Sequence, residues 1–230
     1  MSHWQTPPRY EVKVALEGRA LADVLAWVRL HPAHWQVAYP DRQVNNVYFD
    51  TADYQGLNAN LSGIADRVKL RLRWYGTVLH EVQDASLEFK HKQGMIGYKE
   101  ICNVGEALDL SVTPWADVLH TLDAAINPHG QRWLRSVPHP VLINTYRRAY
   151  YVTPDQRVRL TVDSSLRAYD QRASAYPNLV TTAPLPGYVI LELKAGRAHY
   201  QQLADALAHF PVRVDRFSKY VQGMLAAPDF

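Results

Sequence analysis

The chain has 230 residues, 47% of them hydrophobic, with 25 Lys and Arg against 22 Asp and Glu, a formal charge of +3 and one cysteine. That length supports one substantial domain or two small ones, and so even a charge balance excludes an argument for nucleic acid from bulk electrostatics. Cys102 alone excludes an intrachain disulfide and a cysteine-rich zinc site; the opening "MSHWQTPPRYEVK" lacks the apolar core of a signal peptide and no later stretch approaches ~20 apolar residues, so the expected location is cytoplasmic.

In chain order, "RYEVKVAL" alternates Arg9, Glu11 and Lys13 with Tyr10, Val12 and Val14, the period of two of a β-strand. "GRALADVLAWVRLHP" places Leu21, Val24, Leu25 and Val28 at helical spacing, and Pro32 ends the run. "QVNNVYFDT" reads as a strand and "DTADYQGLNANLSG" as a loop or short helical turn. "RVKLRLRWY" sets Arg67, Lys69, Arg71 and Arg73 against Val68, Leu70, Leu72 and Trp74, a strand with one apolar and one strongly positive face. "ASLEFKHKQ" alternates Glu88, Lys90 and Lys92 with Leu87, Phe89 and His91; "GMIGYKEICNV" is a further strand carrying Lys99, with Gly94 and Gly97 bracketing a turn or a flexible approach. "TPWADVLHTLDAAI" reads as a helix with Thr113 at the N-cap and Pro114 at the first helical position. The strands "VLINTYRRAYYV", "QRVRLTVDSSL" and "GYVILELKAG" follow, then the helices "HYQQLADALAHF" and "DRFSKYVQGMLA". Seven or eight strands and four helices in this order predict an α+β chain, one antiparallel sheet system with helices packed outside.

The charge alternation recurs from strand to strand: Glu11 with Lys13, Glu88 with Lys90, Arg157 with Arg159 and Asp163, Glu192 with Lys194. Two arrangements accommodate it. In one the charged faces are ordinary solvated sheet faces. In the other the sheet closes into an antiparallel β-barrel with apolar side chains outward under the helices and charges lining a polar interior. The near absence of Thr, Ser, Gln and Asn among the paired positions favours the second. Buried charges persist only when paired or bound, so an excess of cations inside implies an anionic ligand, and the few carboxylates suit magnesium or manganese. Asp163 reads as a turn or cap residue, the ten His show no paired ligand spacing, and the Trp and Tyr residues read as core, not as a base-stacking platform.

"RYEVK", "VYFDT", "RVKLRLRWY", "LEFKHK", "YKE", "YRRAYY", "VRLTVD", "LELK" and "FSKY", in this order, resemble the VTC domain, the polyphosphate polymerase module of the vacuolar transporter chaperone family within the triphosphate tunnel metalloenzyme (CYTH-like) superfamily. The resemblance runs from about Arg9 to Met224 and implies a single tunnel domain over 9–225, with tails at 1–8 and 226–230. It implies a closed antiparallel barrel, the triphosphate tunnel, with a basic polar interior. Carried over by position, it makes Lys13, Arg71, Arg73, Lys90, Lys99, Arg148, Arg159, Lys194 and Lys219 phosphate or nucleotide ligands, with Arg71, Arg73, Lys90 and Arg159 carrying the chemistry; Arg148 is preferred over Arg147. Glu192 becomes the metal ligand for Mn²⁺ or Mg²⁺, and Glu11 and Glu88 are further metal candidates or ion-pair partners of neighbouring cations. The CYTH branch begins with Glu-x-Glu-x-Lys where this chain has Arg9-Tyr10-Glu11-Val12-Lys13, which favours the polymerase branch.

The implied activity is a metal-dependent transfer of the ATP γ-phosphate to a growing polyphosphate chain. A triphosphatase or a non-catalytic polyphosphate-binding module is the alternative. The implied partners are ATP and polyphosphate or another triphosphate, with no nucleic acid and no direct membrane insertion. The membrane helices of eukaryotic relatives are absent from this sequence, which leaves room for a membrane-protein partner.

Overall fold

Every alternating segment becomes a strand of one sheet in the computed structural model, which describes residues 9–93, 96–214 and 217–227. The elements are β1 (Arg9–Glu17), α1 (Leu21–Leu30), β2 (Gln36–Asp50), α2 (Gln55–Leu61), β3 (Arg67–Tyr75), β4 (Glu81–Val82), β5 (Ala85–Gln93), β6 (Ile96–Val104) and β7 (Leu108–Asp109). They continue with α3 (Trp115–Ala125), α4 (Pro128–Ser136), β8 (His139–Val152), β9 (Val158–Asp170), β10 (Tyr188–Gly196), α5 (Tyr200–Ala208) and α6 (Lys219–Ala226). The expected tail at 1–8, most of that at 226–230, and Gly94 lie outside the described residues.

The main sheet has the order β1-β10-β9-β8-β2-β3-β5-β6 and is antiparallel throughout; β4 and β7 form a small separate pair. Five strands separate β1 from β5, which in a flat sheet would hold them about 29 Å apart at ordinary strand spacing. Yet Lys90 on β5 and Glu11 on β1 are 3.5 Å apart. The sheet therefore wraps round into the expected barrel, and among the described residues side chains, not a backbone ladder, bring β1 opposite β5.

Wrapping separates the two faces of each strand. On the convex side, Val14, Leu160, Leu191 and Leu193 pack against Val24 and Val28 of α1 and Leu203 of α5. Leu72, Trp74, Leu87 and Phe89 pack against Trp115, Val118 and Leu122 of α3 and Leu134 of α4. The apolar alternates of "RVKLRLRWY" are thus buried under helices, and the cations face inward. α6 is set differently: it packs with α2 over the concave face at one end, where Tyr220 and Met224 meet Tyr48 and Leu142. A Cβ on Gly223 would come within 2.6 Å of Leu142, so a side chain there would force helix and sheet apart. Among the described residues no helix is long and apolar enough to cross a membrane.

Several local expectations are corrected. α4, begun by Asn127 accepting from the Gly130 amide, has no counterpart in the sequence reading. The α3 cap is Pro114, with extended backbone, one residue beyond Thr113. β2 starts seven residues before "QVNNVYFDT", because register shifts around Tyr39 carry Pro40 through the strand as an irregularity. Asp163 is neither turn nor cap: it lies within β9 and is fully buried, and the left-handed backbone at Ser165 (φ 55°) absorbs the irregularity that its "DSS" context suggests.

Candidate functional site

Strand register dictates which side chains share the concave face. On β1 and β10, Glu11 pairs opposite Lys194 and Lys13 opposite Glu192; on β10 and β9, Lys194 is opposite Arg159. Arg148 on β8 is opposite Asp163, Arg73 on β3 opposite Asn46, and Lys69 opposite Lys90 on β5, which is opposite Lys99 on β6. α6 adds Lys219 as its first residue. Among the described residues the cations of this face include Lys13, Lys69, Arg71, Arg73, Lys90, Lys99, Arg148, Arg159, Lys194 and Lys219, and its carboxylates include Glu11, Glu88, Asp163 and Glu192.

The carboxylates organise most of these cations into three groups. Glu88 accepts from Arg71 Nε at 2.6 Å and Lys99 Nζ at 2.7 Å, with Arg73 at 3.7 Å. Asp163 accepts from Arg148 Nε and Nη2 at 2.5 and 2.7 Å and from Lys219 Nζ at 2.5 Å. Glu192 meets Lys194 at 3.0 Å, Lys13 at 3.3 Å and Arg148 at 3.5 Å, while Glu11 pairs with Lys13 and with Lys90. Burial by itself would push each carboxyl up, but the surrounding cations outweigh it and hold Glu88, Asp163 and Glu192 below the usual carboxylate range. Arg73 is aimed by Asn46 Oδ1 at 2.8 Å, which in turn bonds Asn144. Arg73 also donates to the Tyr146 hydroxyl, 3.2 Å away.

The sequence-predicted residues do not all stand alike. Arg147 is 66% exposed and pairs with Asp41, whereas Arg148 is turned inward. Arg159 has the register of the inner face but sits at its exposed end, with no ion pair among the described residues. Glu88 has both oxygens taken by cations, and among the described residues it shares no ion-pair partner with Glu11 or Glu192.

Two residues were passed over. Tyr146 is buried, with Arg148 and Lys219 over its ring at 5.3 and 4.5 Å; burial raises its pKa, but Arg148, Arg73 and Lys219 outweigh that and bring it to about 8. Lys69 stood in the alternation but not among the motif-matched ligands. It donates to Ser218 Oγ at 3.0 Å, lies 5.6 Å from the Tyr220 ring centre, and has no carboxylate partner among the described residues. Burial, then repulsion from Lys90 and Lys13, lowers its pKa to about 7. The Lys90 side chain is 47% exposed, yet it opens onto the protein-walled lumen; burial and Lys13 bring it down to about 8, with Glu11 and Glu192 opposing.

The donor chemistry suits a divalent metal in one place. Glu11 and Glu192 are diagonal neighbours across β1 and β10 and share Lys13 as an ion-pair partner, a pair of hard oxygen ligands. No group of three His, Cys, Asp or Glu among the described residues could hold a metal alone. Magnesium and manganese are commonly bound by one or two carboxylates with substrate phosphates completing the shell, so the pair fits a metal that arrives with its substrate.

No match was found among curated protein sequences. Among solved structures, the PH1819 protein of Pyrococcus horikoshii shares 14% identity over 94% of this chain and 98% of its own, with a TM-score of 0.49. A candidate adenylate cyclase of Vibrio parahaemolyticus shares 11% over 95% and 99%, with a TM-score of 0.48. HpAC1 of Hippeastrum, described as having a dominant triphosphatase activity, shares 14% over 86% and 85%, with a TM-score of 0.43. The family profile of the VTC domain matches residues 8–227, nearly the whole length, and the chain belongs to the VTC domain family.

Proposed function

We propose that the tunnel is the active site of a metal-dependent phosphotransferase that moves the γ-phosphoryl group of ATP to the end of a polyphosphate chain. The observation that carries this reading is the charge excess on the walled inner face, where burial and then repulsion from neighbouring cations hold Lys69 and Lys90 below their ordinary pKa. A polyanion relieves that repulsion. Arg71, Arg73 and Arg148, fixed by Glu88, Asn46 and Asp163, are pre-aimed to hold phosphate oxygens in bidentate fashion, and Lys13, Lys90, Lys99, Lys194 and Lys219 act as point charges along the chain.

Phosphoryl transfer asks chiefly for positioning and charge neutralisation. A terminal phosphate oxygen of the acceptor chain forms the new bond to the γ-phosphorus as the bond to the β–γ bridging oxygen breaks, and ADP leaves with that oxygen. The attacking oxygen is already anionic, so no side chain has to remove a proton. Glu192 with Glu11 would hold Mn²⁺ or Mg²⁺, which when bound supplies charge neutralisation at the phosphate oxygens. Glu88 is read as a counter-charge that orients Arg71 and Lys99.

A triphosphatase reading uses the same cations, with water in place of the acceptor chain as the nucleophile. Incubation of the protein with ATP and Mn²⁺, followed by phosphorus NMR and gel analysis, separates the two. Chain-internal phosphate signals that vanish in Arg71→Ala and Glu192→Ala are the expected result. Orthophosphate without chain growth would replace the transferase by the hydrolase, and polyphosphate binding without turnover would leave a binding module.

A further inference from the structure

Along β3 and β8 the inward alternation changes character toward one mouth of the tunnel. On β3 it runs Lys69, Arg71, Arg73 and then Tyr75; on β8 it runs Tyr146, Arg148 and then Tyr150. Lys69, bonded to Ser218, marks the α6 end, and Tyr75 lies six residues further along the strand, about 20 Å away at ordinary strand rise. The irregularity around Pro40 in β2 brings two more side chains to this mouth. The Arg42 guanidinium lies 5.6, 5.8 and 5.9 Å from the ring centres of Tyr75, Tyr39 and Tyr150, and Tyr39 meets Tyr150 edge-on at 5.8 Å.

This cluster is built unlike core. Tyr39 and Tyr75 remain 55% and 45% exposed, and Arg42 has no carboxylate partner among the described residues. Flat π-faces and an unpaired guanidinium at the rim offer stacking surfaces that add cation–π attraction. They stand one inward position beyond Arg73 and Arg148, which are read above as phosphate ligands. A triphosphate seated on those arginines can therefore leave its organic end at the tyrosines.

We infer that Tyr39, Arg42, Tyr75 and Tyr150 form a stacking subsite for the base of a nucleoside triphosphate whose phosphates occupy the tunnel. The inference rests on the proposed function above and adds to it the residues that would hold the base of the nucleotide. Stacking needs only a π-face, so adenine and guanine are held alike.

Calorimetric titration with ATP, GTP and inorganic tripolyphosphate, each with Mg²⁺, tests the subsite. Tyr39 and Tyr75 are exposed and belong to none of the three core clusters, so their truncation leaves the core intact. Tyr39→Ala and Tyr75→Ala are each expected to weaken ATP and GTP about tenfold, with Tyr75→Phe retaining wild-type affinity and tripolyphosphate changing by less than about twofold. Equal losses for nucleotide and tripolyphosphate, or no loss for either, would overturn the subsite while leaving the tunnel reading intact. Failure of the wild-type protein to bind tripolyphosphate would remove the tunnel reading and the subsite with it.

Discussion

The inner face carries two kinds of cation. Arg71, Lys99, Arg148 and Lys219 are clamped on Glu88 and Asp163 at 2.5 to 2.7 Å. Lys69 and Arg159 have no carboxylate among the described residues, and Lys90 has only Glu11 at 3.5 Å. The clamped group has lost its conformational freedom in advance, so it contributes geometry. On the proposed reading the uncompensated cations repel one another until an anion arrives, and so contribute affinity at the expense of the empty protein's stability.

The largest effect should come from turning the first kind into the second. Asp163→Ala leaves Arg148 and Lys219 without their shared buried partner and is expected to lower stability by about 3–5 kcal/mol in denaturant titration. A smaller effect of opposite sign is expected from Lys69→Met. It should weaken tripolyphosphate about tenfold and yet raise Tm at pH 6.5, by about 2–4 °C for each kcal/mol of repulsion relieved.

That gain should depend on pH. The folded pKa of Lys69, about 7, lies below its ordinary 10.5. Below pH 7 the amine is charged in both states and its repulsion is felt in full. Above pH 7 the folded protein releases the proton that the unfolded chain keeps, so wild-type stability rises with pH toward 10.5. The Tm advantage of Lys69→Met should therefore shrink between pH 7 and pH 10. Equal advantages at pH 6.5 and 9.5 would contradict the stored repulsion. The smallest effect belongs to Arg147→Ala, which removes an exposed pair with Asp41 and should change both stability and anion affinity by less than about 0.5 kcal/mol.

The barrel was legible because one face of each strand had to be apolar, and period-two alternation records that directly in "RVKLRLRWY" and "LEFKHK". It failed where the backbone departs from regular pleating. Pro40 hid the first half of β2, and with it the mouth formed by Tyr39 and Arg42. "VDSSL" resembles a turn because Asp and Ser favour one, and only the barrel shows that Asp163 is the shared partner of Arg148 and Lys219. Lys69 was visible in the alternation but dropped out when motif positions were carried over from the family. Its isolation from any carboxylate is a property of packing, which spacing along the chain does not encode.

The most direct test of the inner face as a triphosphate site is calorimetric titration of tripolyphosphate at pH 8 in two buffers of different ionisation heat. Lys69 is then mostly neutral in the free protein, so binding should draw a proton from the buffer. The predicted result is binding with net proton uptake, with the uptake reduced in Lys69→Met to what Lys90 and Tyr146, near 8, still contribute, and the affinity reduced at least tenfold, about 1.4 kcal/mol, in Arg71→Ala. Absence of binding, or binding that neither variant alters, would contradict the account.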